Sequence, residues 1–227
     1  MPKKAGIIFV ILGVVLMMSA LLLFFYNGLE DRNAQQEAES LLDDIQSVIE
    51  DITIPETTEP TTENETEGTE PVETLDPEMP TLLIDGYEYI GYVSIPDLEL
   101  ELPVMAEWDY SRLKVAPCRH FGSSRADDLV IAAHNYKSHF GYLKNLEIGA
   151  EILFTDMDGI ENKYEVILID TLAPDEVEAV QNSGYDLVLY TCTYGGKTRV
   201  TVFCNRMDET PEPVLPDEES EDILPPQ

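Results

Sequence analysis

Near its C-terminal end the chain reads Leu187-Val-Leu-Tyr-Thr-Cys192-Thr-Tyr-Gly195-Gly196-Lys-Thr-Arg199-Val-Thr-Val-Phe-Cys204, two β-rich segments around a pair of glycines. A tight hairpin turn needs residues that accept positive φ, which glycine does without steric cost. With Gly195 and Gly196 as the turn, counting outward pairs Tyr194 with Lys197, Thr193 with Thr198 and Cys192 with Arg199. Directly opposed residues share a sheet face, their Cβ atoms about 5 Å apart. The register therefore sets a thiol beside a guanidinium. Arg206, the next arginine, lies seven residues farther along, roughly 20 Å or more at about 3.3 Å per residue, and is rejected as the thiol's partner.

The chain of 227 residues carries 45 acidic against 13 basic residues. Residues 27–80 hold 17 acids and one Arg, and 208–227 hold eight acids and no base, which leaves 20 acids and ten bases in 81–207. The acidity thus belongs mostly to segments outside the compact part. No basic cluster occurs, so a nucleic-acid partner is not expected.

Residues 5–26 contain no charge, and about 20 apolar residues cross a bilayer's hydrocarbon core. Lys3 and Lys4 precede the run and Glu30 and Asp31 follow it, which predicts a single-pass cell-membrane protein with a cytoplasmic N-terminus and the remainder outside. The run exceeds a signal-peptide core and lacks a small-x-small cleavage pattern, so residues 1–28 are expected to stay as an anchor. Three cysteines then leave at least one unpaired, and a Cys118–Cys204 disulfide stays open.

Across residues 29–52, Ala34, Ala38, Leu41, Ile45, Val48 and Ile52 recur in a heptad pattern. This predicts an amphipathic stalk helix, with a weak dimer through its apolar stripe as the sharper reading. Residues 53–80 are Thr-, Glu- and Pro-dominated with almost nothing to bury, and 208–227 are acidic and Pro-rich; both are expected to be disordered. Residues 81–207 remain as one mainly β domain. Strands are expected at 89–95, 98–105, 128–133, 151–154, 162–172, 187–191 and 199–204, and short helices at 109–115, 139–146 and 175–181. Many short strands with few helices imply a small closed barrel or a sandwich.

A buried cysteine is ordinarily an inert small hydrophobe. Cys192 departs from that because a cation beside a thiol favours the thiolate. A thiol nucleophile also needs an acid/base group. Of the three histidines, His134 ends the apolar run Leu129-Val-Ile-Ala-Ala133, where a strand holds a residue firmly while its side chain reaches substrate. His139 lies in a polar loop or helix start, and His120 in the turn Pro117-Cys-Arg-His-Phe-Gly. His134 and His139 are five apart, off one helical face, with no ligand-spaced cysteine, so no metal or other cofactor is expected.

His134 in Val-Ile-Ala-Ala-His-Asn, Cys192 in Leu-Tyr-Thr-Cys-Thr and Arg199 before an apolar strand resemble the sortases, membrane-anchored cysteine transpeptidases of Gram-positive bacteria. Ile90-Gly-Tyr-Val-Ser-Ile-Pro looks like the family's first barrel strand, Leu102-Pro-Val-Met like its second, and Lys114-Val-Ala-Pro-Cys-Arg-His-Phe-Gly like the approach to its histidine strand. The resemblance covers about residues 82–207 and implies a closed eight-stranded β-barrel with short helices. It implies Cys192 as nucleophile, His134 as general acid/base and Arg199 as holder of substrate carbonyls and oxyanion, with His120, Tyr190 and Thr191 at the substrate. The expected partners are exported proteins with a C-terminal Leu-Pro-x-Thr-Gly-like signal and an amine of peptidoglycan precursor. The family's usual bulky aliphatic before Thr-Cys is Tyr190 here, and the Cys192–Arg199 connection is short. The brief 173–186 stretch leaves little room for a class B helix, and neither a lid nor a second span marks class C, which leaves a class A-, D- or E-type enzyme. An extracellular cysteine hydrolase and a non-catalytic membrane-tethered scaffold are the competing readings.

Overall fold

The computed structural model describes residues 3–53 and 78–207; the expected linker (save its first residue and its last few) and the acidic tail lie outside the described residues. Eleven elements concern us: α1 (Lys3–Thr53), β1 (Leu82–Ile84), β2 (Tyr87–Ile95), β3 (Leu100–Met105), β4 (Cys118–Phe121), β5 (Leu129–Ala133), β6 (Glu151–Asp156), β7 (Glu161–Leu172), α2 (Val177–Gln181), β8 (Leu187–Cys192) and β9 (Arg199–Arg206). The strands run β2-β3-β4-β5-β8-β9-β7-β6, and β6 pairs back onto β2 through Gly91–Ser94 against Leu153–Asp156. Eight strands therefore close into a barrel, with β1 added outside as a hairpin on β2. Pairings β3–β4 and β5–β8 are parallel, the rest antiparallel.

The continuous apolar runs of β5 and β8 follow from burial on both faces, where alternation has no polar side to report. Leu129, Ile131, Leu187 and Leu189 enter the barrel core with Phe140, Phe154, Val202 and Cys204. Val130 and Val188 face outward beneath Val180 of α2. Cys118 lies in a third cluster, under α1. With Cys204 inside the barrel, the two cannot bond, and all three cysteines are free.

The expected anchor and stalk form one unbroken helix of 51 residues, about 76 Å at 1.5 Å per residue. Its first half is exposed and is long and apolar enough to cross a membrane. The second half lies on the barrel. Ala34, Ala38, Leu41, Ile45 and Ile49 are buried, and the last three pack on Tyr89, Met105, Leu113 and Ala116. Of the expected stripe, Ala34, Ala38, Leu41 and Ile45 are thus covered by this chain's own barrel and Val48 partly so, while Ile52 stays exposed.

Two strands escaped the sequence reading, β1 and β4. The expected helix at 109–115 reduces to the 3-10 turn Arg112–Lys114, and that at 139–146 to Leu143–Asn145. His139, read as a polar loop residue, is fully buried, and neither ring nitrogen meets a partner among the described residues. Burial pushes its pKa down to about 4 from 6.5. Between those values the unfolded chain binds a proton that the folded chain refuses, so stability falls as pH drops through that window, by roughly 3 kcal/mol from this group, and no further below it. Denaturant midpoints at pH 7 and 4.5 should show this slope, and His139→Phe should flatten it; an equal slope in the variant contradicts the assignment.

Candidate active site

Three adjacent strands end together. β8 lies between β5 and β9, with Ala133 level with Thr191 on one side and Arg199 opposite Cys192 on the other. Neighbouring strands are about 4.8 Å apart, so His134, one residue beyond Ala133, and Arg199 flank Cys192 from opposite sides. The Thr191 hydroxyl fixes this stagger by donating to the Ala133 carbonyl at 2.9 Å. Thr191 is buried and does not line the groove; it latches the strand that ends at Cys192 to the strand that leads to His134.

The glycines do form the turn, with φ of 83° at Gly195 and 70° at Gly196. The connection is a four-residue loop rather than a two-residue one, closed by Gly196 N–H donating to Thr193 O at 2.8 Å. Thr193 and Thr198 still pair, through Thr193 N–H to Thr198 O at 2.9 Å and a 2.9 Å hydroxyl contact, so the expected Cys192–Arg199 register survives. Arg199 Nη1 donates to Gly196 O and Thr198 O, each at 3.1 Å. Arg206 stands at the far end of β9, tied to Asp127, Asn162 and the Ser124 carbonyl.

His134 is half-buried, and its Nδ1 lies 3.1 Å from Asn135 Oδ1. If Nδ1–H donates there, Nε2 is left to exchange protons. Tyr136 stacks flat on the ring, centroids 4.0 Å apart at 8°. Burial lowers the His134 pKa, partly offset by Asn135 and the Glu30 carboxylate. A neutral imidazole at physiological pH can accept a proton from a thiol or an amine.

Cys192 and Arg199 open on a cavity of about 260 Å³, walled by Trp108, Tyr110, His120 and Tyr190, with Leu172, Pro174 and Val177 opposite. Tyr190 and His120 join at 2.7 Å (O to Nδ1). Burial lowers the His120 pKa and raises that of Tyr190, which favours the neutral form of both partners in this hydrogen bond. Two of the three residues expected at the substrate are therefore groove walls. Trp108 and Tyr110 were missed, although Glu-Trp-Asp-Tyr after β3 is an aromatic pair at the end of an apolar strand. Asn135 was missed too, and its only signal is its place directly after His134. Among the described residues, no three His, Cys, Asp or Glu side chains converge as a metal site.

The sortase-domain family model matches residues 93–207, half of the chain. The chain belongs to the sortase family. Its barrel is similar to sortase A from Corynebacterium diphtheriae, at 24% identity and a TM-score of 0.50, covering 56% of this chain and 64% of that one. Sortase C1 from Streptococcus suis is 27% identical with a TM-score of 0.47, covering 56% and 77%. A Clostridium perfringens sortase D5 transpeptidase is 19% identical with a TM-score of 0.48, covering 58% and 83%. No curated protein matches the chain. This sortase thus spans about two thirds of the length of the Corynebacterium structure, and the likeness between them is one of fold.

Proposed function

We propose that this sortase is a membrane-anchored transpeptidase in which Cys192, His134 and Arg199 act on a C-terminal Leu-Pro-x-Thr-Gly-like signal of exported proteins. The observation that carries the reading is the order His134, Cys192, Arg199 across three adjacent strand ends, with Cys192 and Arg199 lining the groove and His134 directly after its wall residue Ala133. His134 takes the Cys192 thiol proton as the sulfur attacks the Thr carbonyl carbon, and the carbonyl oxygen takes the electron pair while Arg199 donates hydrogen bonds to it. As the oxyanion collapses, the Thr–Gly C–N bond breaks and protonated His134 gives its proton to the departing amine. The thioester is then attacked by an amine of peptidoglycan precursor, His134 takes the amine's proton, and the thiolate leaves.

In this reading the barrel of residues 81–207 is the catalytic unit, 1–28 the anchor and 29–52 the stalk. Lys3 and Lys4 before the span, with Glu30 and Asp31 after it, support a cytoplasmic N-terminus and an external barrel. A class other than B is supported by the β7–β8 connection, whose helix α2 has only five residues.

A quenched Leu-Pro-x-Thr-Gly peptide with and without an amine tests the reading: an amine-dependent conjugate is expected, and cleavage without one contradicts transfer. Arg199→Ala should lower kcat/KM about 10²- to 10³-fold, the range for losing one oxyanion donor. Arg199→Lys should recover only part, because an ammonium lacks the planar fork; full activity of Arg199→Ala would remove Arg199 from the mechanism.

A further inference from the structure

We propose that Asp31, on the helix that leads out of the membrane span, is a positioning residue for the loop that carries His134. The inference rests on the catalytic reading of His134 given above. Asp31 Oδ1 accepts from the Ser138 backbone N–H at 3.1 Å and from the Ser138 hydroxyl at 2.8 Å, and the Asp31 carbonyl lies 3.2 Å from the same hydroxyl. These contacts join residues 107 apart in sequence. Hydrogen bonds to a carboxylate are among the stronger ones in proteins.

The loop they grip folds back tightly on His134. Phe140 N–H donates to the His134 carbonyl at 3.2 Å, and Gly141 and His139 N–H donate to the Tyr136 carbonyl at 2.8 and 3.1 Å. Tyr136 carries the ring that stacks on His134. Phe140 anchors the loop's far side in the barrel core. Ser138 lies between the stacking residue and this anchor, and there Asp31 reaches it. Asp31 is itself held, because Ala34 and Ala38, one and two turns on, are buried against the barrel. The anchor helix therefore acts as a splint: a shift of α1 along the barrel moves Ser138, and through Tyr136 the face of the imidazole. His134 then owes its orientation to a group outside the sequence motif that contains it.

The test uses the full chain in detergent, with Asp31→Ala, Asp31→Asn and, as control, Asp43→Ala at an exposed position of the same helix. Asp31→Ala should lower kcat for peptide transfer about tenfold with KM changed less than twofold. Amides 136–141 should exchange hydrogen at least tenfold faster. Asp31→Asn, which keeps the Oδ1 acceptor, should restore most of both, and Asp43→Ala should change neither. Unchanged exchange in Asp31→Ala, or faster exchange with unchanged kcat, overturns the proposal. A wild-type chain inactive on every sorting peptide would count against the transpeptidase reading, while the exchange data would still decide the clamp.

Discussion

Replacing Cys192 with alanine is expected to abolish both cleavage and amine transfer, a loss on the order of 10⁴-fold or more, as for other catalytic nucleophiles. No other thiol stands to take its place. Cys204 is sealed in the barrel core and Cys118 under α1, and burial raises the pKa of each thiol, that of Cys118 to about 12. The fold should be indifferent to the change, since Cys192 is half-exposed at a strand end and belongs to none of the core clusters. A thermal midpoint within about 2 °C of wild type, with activity gone, is the expected pair of results. Retained turnover would return the chain to the scaffold or alternative-nucleophile readings.

The largest stability effect should come from Gly91→Ala. Gly91 sits in β2 with φ +137°, at the seam where β2 meets β6 opposite Asp156. A Cβ there would stand 1.9 Å from the Thr155 carbonyl oxygen and 2.9 Å from Asp156 Cα. Both are backbone atoms, so no rotamer change relieves the clash, and closure of the barrel must give way. We expect a loss of about 4 kcal/mol or more, in the range reserved for core overpacking and forced backbone strain, which lowers the melting temperature by roughly 10 °C or leaves little soluble protein. Gly195→Ala shares a positive φ but meets nothing within 4 Å and should cost only about 1–2 kcal/mol. Similar melting of the two variants would contradict this view of the seam.

The contrast between these glycines shows what was legible in the sequence. Gly195 and Gly196 announce a local turn, and the Cys192–Arg199 register follows by counting, even though the loop is longer than the simplest turn. The strand ending at His134 was legible because a five-residue apolar run buried on both faces has few alternatives. Gly91 shows nothing locally, because the strand that demands it lies some sixty residues away. Strand β4 was hidden for a related reason. Its Cys-Arg-His-Phe carries two polar residues, and its pairing with β3 is the single match Met105 to Cys118. Strand β1 did leave a signal, Asp85-Gly86 at φ 49° and 84° between apolar neighbours, the form of a two-residue hairpin. The heptad stripe on α1 was plain, but periodicity says that a face is covered and not by what; a partner helix and the chain's own barrel write the same pattern. His139 illustrates the opposite failure, since a polar neighbourhood in sequence, Lys137-Ser138, concealed a fully buried side chain.

The central claim is tested most directly by the intact mass of the full chain after mixing with a Leu-Pro-x-Thr-Gly-type peptide in the absence of amine. The account predicts one adduct equal to the peptide up to Thr, mapped to Cys192, released by hydroxylamine or by an added amine, and absent from Cys192→Ala. Peptide cleavage with no such adduct, or an adduct that persists in Cys192→Ala, would contradict it.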